Sequence, residues 1–509
     1  MGRKIGTVLS FAAIVVEIFS GLFLTPLLIR SLGQAEYGVY SLVLSVTAYL
    51  ALLDMGVGNS VVRFMSKYRV NGDKTEQRKF LGITTVYYGV MLLLIVIIGI
   101  VLIQIFPMAF AKGLSDAEVA LAQKLLAMTV INIAITIGTA GYFYTIIAFE
   151  KFIISKGVVI LCSVCRIALQ YILLLHGAKS IEIVFVNLCF TVIARATMVL
   201  YVLCKLKICP TLKKVNFLQI KEIVFYSVFI MLQMVATQVN NLADQILIGA
   251  LVQSSTVILA VYAVGAHINQ YAQNIGGALN GVLMPGVVAM VEKKATPKEL
   301  ENEMVRIGRL NFAFIAFVWC AFLVFGQQFV ALWAGEVNRD AYYVALILMF
   351  PQVIILTESI GAQILWAIDK HKVQAVLKIV IVILNLVLTV LLIKWNPLLG
   401  ATLGTFISLM LGDVIVMQIV LKKDIGISLL GYYKGLLKGI VPALALALVA
   451  GFLFRRVGLS GWFGFIINCG VMTVFYGICM LLFGFNKQEK HIIMGAVKKL
   501  DILKKIKSR

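Results

Sequence analysis

The chain has 509 residues, 61% of them apolar and only 13% charged, with a formal net charge of +22. A soluble surface needs about twice that share of charge, which excludes a string of globular domains. Apolar runs of about 18 or more residues recur along the whole length, each able to cross about 30 Å of hydrocarbon as a helix, so the expected class is an all-α polytopic membrane protein.

Met1-Gly2-Arg3-Lys4 ahead of an apolar run imitates a signal peptide, but the run continues to about Ile29 with no small-residue cleavage site and reads as a first span. Spans are expected near 7–29, 39–62, 80–106, 122–148, 153–175 and 181–204. Past a basic linker they resume near 222–249, 257–290, 310–333, 342–368, 373–393, 398–421, 436–454 and 461–485. That makes 14 transmembrane helices, and period-2 alternation of the barrel kind is absent. The organisation predicted is an N-terminal six-helix half (1–204), a cytoplasmic linker (205–221) carrying Pro210, a C-terminal six-helix half (222–421), accessory helices 13 and 14 (422–485) and a basic amphipathic tail (486–509). Six is even, so both halves enter from one side and can be related by a pseudo-two-fold axis along the membrane normal. A weak internal match of 27–34 ahead of Tyr40 with 246–253 ahead of Tyr262 agrees with that symmetry.

Assigned to alternate sides, 34 lysines and arginines fall on the side of the N-terminus and 8 on the other, which places both termini in the cytoplasm. The surplus faces anionic inner-leaflet lipid, with no nucleic acid expected. In the tail, Ile493, Val497, Leu500 and Leu503 recur at helical spacing among lysines, the pattern of a helix lying on that leaflet.

A charge near the bilayer centre costs about 2.5–3.5 kcal/mol and so belongs against a partner or a wet cavity. Ser10, Glu17, Gly21 and Thr25 share one face of the first span, and Gln233, Thr237, Asn240 and Asp244 one face of the seventh. His267, Gln270 and Asn274 extend this to the eighth span, Lys378, Asn385 and Thr389 to the eleventh, and Arg166 and Gln170 to the fifth. These strips predict a polar cavity between the halves; the alternatives are hydrogen bonding between helices for the neutral residues, and mutual pairing for Glu17, Arg166, Asp244, Glu358 and Lys378. Arg195 can snorkel to the cytoplasmic surface and is left out. Bends are expected at Pro26, Pro285, Pro351 and Pro442.

No G-x-x-x-x-G-K-[ST], dinucleotide turn or H-E-x-x-H occurs, and outward loops reach only about 15 residues, so neither an enzyme nor a cofactor is expected. The eight cysteines lie in spans or at their ends; Cys162 and Cys165 form a C-x-x-C in mid-span with no histidine near, which reads as packing, and no metal site is expected.

The segment from Leu32 to Tyr40, L-G-Q-A-E-Y-G-V-Y, and the one from Leu52 to Arg63, L-L-D-M-G-V-G-N-S-V-V-R, together resemble the polysaccharide-transporter (oligosaccharide flippase) family of the multidrug/oligosaccharidyl-lipid/polysaccharide exporter superfamily. The resemblance implies export of an undecaprenyl-pyrophosphate-linked oligosaccharide from the inner to the outer leaflet, by alternating access of the halves, for surface polysaccharide. It implies pyrophosphate contacts at Arg30 and Arg63; Arg166 and Lys378 join them on depth, and His267, Asn240 and Asn274 as polar contacts to sugar. Asp54, Gly56 and Gly58 read as a packing or pivot element. Glu17, Asp244 and Glu358 are the candidates for coupling to H+ or Na+, beside the membrane potential, and glycosyltransferases or a polymerase are the partners to look for. Two other readings stand: a cation-coupled multidrug exporter of the same superfamily, and a membrane scaffold for glycosyltransferases that transports nothing.

Overall fold

The computed structural model describes residues 2–54, 56–212, 217–292, 295–368, 370–486, 489 and 490. Within these, nothing is described for the side chains of residues 2–15, 17, 18, 59, 217–233, 278–289, 292, 366, 371 and 372. The chain is 88% helical, with no strand among the described residues. Nine helices there are long and apolar enough to cross a membrane, or up to eleven if each of two bent pairs is one span, against the fourteen expected. It is a multi-pass membrane protein.

In chain order the helices are α1 (Gly2–Ala48), α2 (Val57–Val70), α3 (Lys74–Phe110), α4 (Asp116–Gly138), α5 (Ala140–Ala148), α6 (Phe152–Leu175), α7 (Ser180–Leu200), α8 (Phe217–Leu251) and α9 (Thr256–Glu292). There follow α10 (Pro297–Ala334), α11 (Ala341–Thr357), α12 (Ser359–Ala367), α13 (His371–Ile393), α14 (Pro397–Leu409), α15 (Met417–Ile425), α16 (Leu429–Leu437), α17 (Ile440–Arg455) and α18 (Gly461–Cys479). Each expected span falls on helix, and α1 carries the first and part of the second on either side of non-helical Gly33. Aqueous ends are capped as the sequence permits: Asp73 accepts from the backbone of Thr75 and Glu76, and Thr296 with Glu299 closes a capping box before Pro297.

No break among the described residues falls on a proline itself, and Pro442 follows the 45° break at Gly439 by three residues. Pro26 and Pro351 lie inside continuous helix, and Pro442 sits in the first turn of α17, where its missing N–H is not needed. Breaks fall instead at Gly33, at Thr139 between α4 and α5, at Glu358, where α11 and α12 diverge by 51°, and at Gly439 (φ 79°) between α16 and α17.

Two compact units emerge, Met1–Ala263 with Lys378–Thr405, and Val264–Leu377 with Phe406–Arg509. Their boundary is not the expected linker at 205–221. The reason is a buried polar network, described below, that binds α13 and the start of α14 to α8 inside the first unit.

Lipid removes the hydrophobic drive between helices, so close packing and hydrogen bonds hold each unit together. In the first unit a Cβ at Gly38 would fall on the Thr256 carbonyl, and Ser41 and Ser45 of α1 donate to Gln245 of α8 at 2.9 and 2.5 Å. Its core runs through Met65, Phe80, Tyr88, Ile95 and Ile146. In the second unit Val324, Phe325, Ala443 and Met472 form one core, and Met304, Ile364, Leu421 and Tyr432 another. There, too, buried Arg309 of α10 grips Glu489 at 2.7 Å and carbonyls at the ends of α16 and α18, so Arg309 and Glu489, counted with the cytoplasmic loop and tail, are an internal tie.

Candidate functional site

The first motif is a joint. Glu36 accepts from the backbone and hydroxyl of Ser180 at 2.8 and 2.6 Å, holding the start of α7, with Lys179 3.9 Å away; Tyr37 and Val39 are buried beside it. The second motif packs around one ring. Tyr144 donates to Asp54 at 3.4 Å, Gly56 opens α2 with a left-handed backbone (φ 68°), and a Cβ at Gly58 would sit inside the Tyr144 ring.

Asp244, 1% exposed, is the centre of the network within the first unit. Tyr262 of α9 hydrogen-bonds one carboxylate oxygen, Thr405 of α14 donates to the same oxygen at 2.5 Å, and Thr389 of α13 to the other at 3.1 Å. Asn385 donates to Asn240 at 2.8 Å, which turns its own carbonyl oxygen toward Thr389 (2.9 Å) and Thr405 (3.2 Å). Each threonine has one hydroxyl proton and faces two acceptors, and with the Tyr262 hydroxyl three protons serve three acceptor oxygens.

Glu358, in the second unit, is 5% exposed at the α11–α12 break. Tyr433 of α16 and Gln418 of α15 (3.1 Å) hydrogen-bond its Oε1, and its Oε2 is buried without a partner. Neither set has local spacing that could reveal it: Thr405 lies 161 residues from Asp244, and Tyr433 lies 75 from Glu358.

Arg166 of α6 donates to Asn187 of α7 at 2.8 Å, and Gln170 reaches the same Asn187 oxygen at 3.0 Å. Two cavities meet at Arg166, both inside the first unit. One, of about 210 Å³, lies among α4, α6 and α7; the other, of about 240 Å³, is reached also by Ser20 of α1. Arg195, set aside as a snorkelling residue, lines the first, with its guanidinium 5.4 Å from the Phe143 ring and its Nη1 buried without a hydrogen-bond partner.

The remaining candidates are not gathered there. Arg30 and Arg63 are exposed, Arg63 lying 6.0 Å from the Phe64 ring centre. His267 is half-buried, 6.4 Å from the Tyr271 ring; Asn274 is exposed and accepts from Gln270 at 3.0 Å; Lys378 is half-buried. The side chain of Glu17 and the tail from 491 lie outside the described residues.

Against known proteins, the family described as polysaccharide biosynthesis protein matches residues 4–291. No curated protein matches the sequence. Among solved structures the chain is similar to the lipid II flippase MurJ in an inward closed conformation, at 15% identity over 94% of this chain and 98% of that one, with a TM-score of 0.69. It is also similar to an inward-facing multidrug resistance MATE family transporter of the MOP superfamily, at 13% identity over 81% and 94%, TM-score 0.66. A eukaryotic MATE transporter matches at 13% identity over 86% and 99%, TM-score 0.54. These neighbours give the fold, and the match over more than half of the sequence gives the family: the chain belongs to the polysaccharide biosynthesis protein family.

Proposed function

We propose that the protein is a flippase that carries an undecaprenyl-pyrophosphate-linked oligosaccharide from the inner to the outer leaflet of the cytoplasmic membrane for surface polysaccharide, by alternating access. The observation that carries this reading is the family match over residues 4–291, on a chain whose fold is that of a lipid II flippase. The topology that goes with it is fourteen spans in two six-helix halves with two accessory helices, both termini cytoplasmic, the basic face on anionic lipid and beside glycosyltransferases or a polymerase. The protein performs no bond chemistry of its own in this account.

Such a substrate has a hydrated anionic head on a tail that cannot leave oil. Arginine suits a diphosphate through its planar fork of donors, and Arg166, beside two cavities, is the best-placed candidate. Arg30, Arg63 and Lys378 remain proposed phosphate contacts and His267, Asn240 and Asn274 sugar contacts, with Asp54, Gly56 and Gly58 as pivot. Moving about two negative charges outward against an inside-negative 100 mV is favourable by about 4.6 kcal/mol, so the potential alone biases direction.

Asp244 is the proposed coupling group, with Glu17 and Glu358 as further candidates. Five oxygens, from Asp244, Asn385, Thr389 and Thr405, converge around one carboxylate, a donor set of the kind that a small hard cation or an added proton joins. That cluster is also what favours the second reading, a cation-coupled multidrug exporter. Depletion in the host separates the two. The flippase reading expects lipid-linked oligosaccharide to accumulate on the inner leaflet with drug susceptibility unchanged, and the reverse pattern overturns it.

A further inference from the structure

At nine residues α16 is too short to persist as a helix unaided, and both of its ends are held by α10. At its start the backbone N–H of Ser428 donates to Glu301 at 2.9 Å. At its finish Arg309, about two turns further along α10, donates to the carbonyls of Gly435, Leu436 and Lys438. An acid at the N-terminus and a cation at the C-terminus are the signs that the helix dipole favours. The middle of the same helix grips the break between α11 and α12: Tyr432 donates to the Thr357 carbonyl at 3.4 Å, and Tyr433 hydrogen-bonds the Glu358 carboxylate.

One part of this clamp comes from elsewhere in the chain. Glu489, the partner of Arg309 at 2.7 and 3.2 Å, belongs to the segment that follows α18. A reciprocal cap sets its place: the Asn486 N–H donates to Glu489 Oε2 and the Glu489 N–H to Asn486 Oδ1, both at 2.8 Å. A Cβ at Gly439 would fall on the Phe483 carbonyl, so the turn after α16 lies against the chain just ahead of Asn486. With Glu489 gone, Arg309 is a buried cation without its counter-charge, and its hold on the end of α16 has to reorganise.

We propose that α16 is a strut through which the segment after α18 governs the α11–α12 hinge. With Glu489 seated on Arg309 the strut is locked and Tyr433 keeps Glu358; with Glu489 withdrawn the strut loosens and the bend at Glu358 is freed. The strut lies wholly in the second unit, and its action does not depend on what the protein transports.

Amide hydrogen exchange on the full-length protein in phosphatidylcholine nanodiscs reads the hinge directly. The Glu358 amide is bonded to the Ile354 carbonyl at 2.9 Å and the Gly361 amide to the Glu358 carbonyl at 2.8 Å. Glu489→Gln is expected to speed exchange of both about 10-fold. Tyr433→Phe, which removes one hydroxyl at the far end of the same route, should match it, and the double substitution should be no faster than either single one. Asn486→Ala, at an exposed position, loses the cap and leaves Glu489 itself, so about 3-fold is expected; it carries the test if Glu489→Gln does not fold.

Faster exchange within α16 while the hinge amides keep their rate overturns the strut. So does a double substitution about 100-fold faster, the product of two independent effects. An equal rise at the amides around Tyr88, in the core of the first unit, means general loosening and overturns it too.

Discussion

In the second unit Arg309 gives its five N–H groups to six acceptors: both carboxylate oxygens of Glu489 and the carbonyls of Gly435, Leu436, Lys438 and Gly484. In the first unit Arg195 leaves a buried N–H without a partner and faces open volume beside Arg166. Both are arginines in helices, and sequence patterning ranks neither above the other. The difference teaches that a buried charge is read by its saturation. A filled guanidinium at 6% exposure is a rivet, and one with a buried, unpartnered N–H on a cavity wall carries a desolvation cost that the rivet does not.

Four changes put that contrast at risk. The largest effect belongs to Arg309→Ala, which leaves Glu489 buried and uncompensated; a loss of about 3–5 kcal/mol is expected, read as a lower unfolding midpoint in detergent, and a midpoint near that of the unsubstituted protein would break the contrast. Next is Gly58→Ala, whose methyl meets the Tyr144 ring; about 1–3 kcal/mol of destabilisation on the same assay is expected, because the ring occupies the space a Cβ needs.

Arg166→Gln keeps a donor for Asn187 and should leave the unfolding midpoint alone while slowing export about 10-fold, or about 1.4 kcal/mol. An equal loss in stability and export would place Arg166 with Arg309 instead. The smallest effect is expected of Arg63→Gln: exposed beside Phe64, it should move stability by about 0.5 kcal/mol or less, and any loss of export would then come from substrate contact alone. Separately, Asp244→Asn should sharpen the account of coupling, because it preserves the size of the oxygen cluster and removes its charge; transport driven by a sodium or proton gradient should be abolished while transport driven by potential persists.

The helices could be read from sequence because an apolar run long enough to cross a bilayer has few other uses, and the segments Leu32–Tyr40 and Leu52–Arg63 stood out by their resemblance to a known family. The breaks could not. Glu358 carries no helix-breaking signature and Thr139 only the glycine before it, while Pro26 and Pro351 lie inside continuous helix. The strip holding Asn240 and Asp244, and the one holding Asn385 and Thr389, were visible as helical spacing, but their meeting is a tertiary event 145 residues apart. Thr405 and Tyr262, which complete the cluster, stand on no strip that marks them. Arg309 and Glu489 carry no mark in the sequence for a related reason: that folding closes over a charge just outside an apolar run is visible only in the tertiary structure.

The most direct test is reconstitution of the full-length protein in liposomes loaded with a fluorescent undecaprenyl-pyrophosphate-linked oligosaccharide, reading the sugar exposed on the receiving leaflet with a membrane-impermeant quencher. Transfer should appear only with the protein present, rise when a potential negative on the donor side is imposed, and drop about 10-fold in Arg166→Gln. Transfer at the protein-free rate, with or without the potential, would contradict the flippase and leave a scaffold in its place.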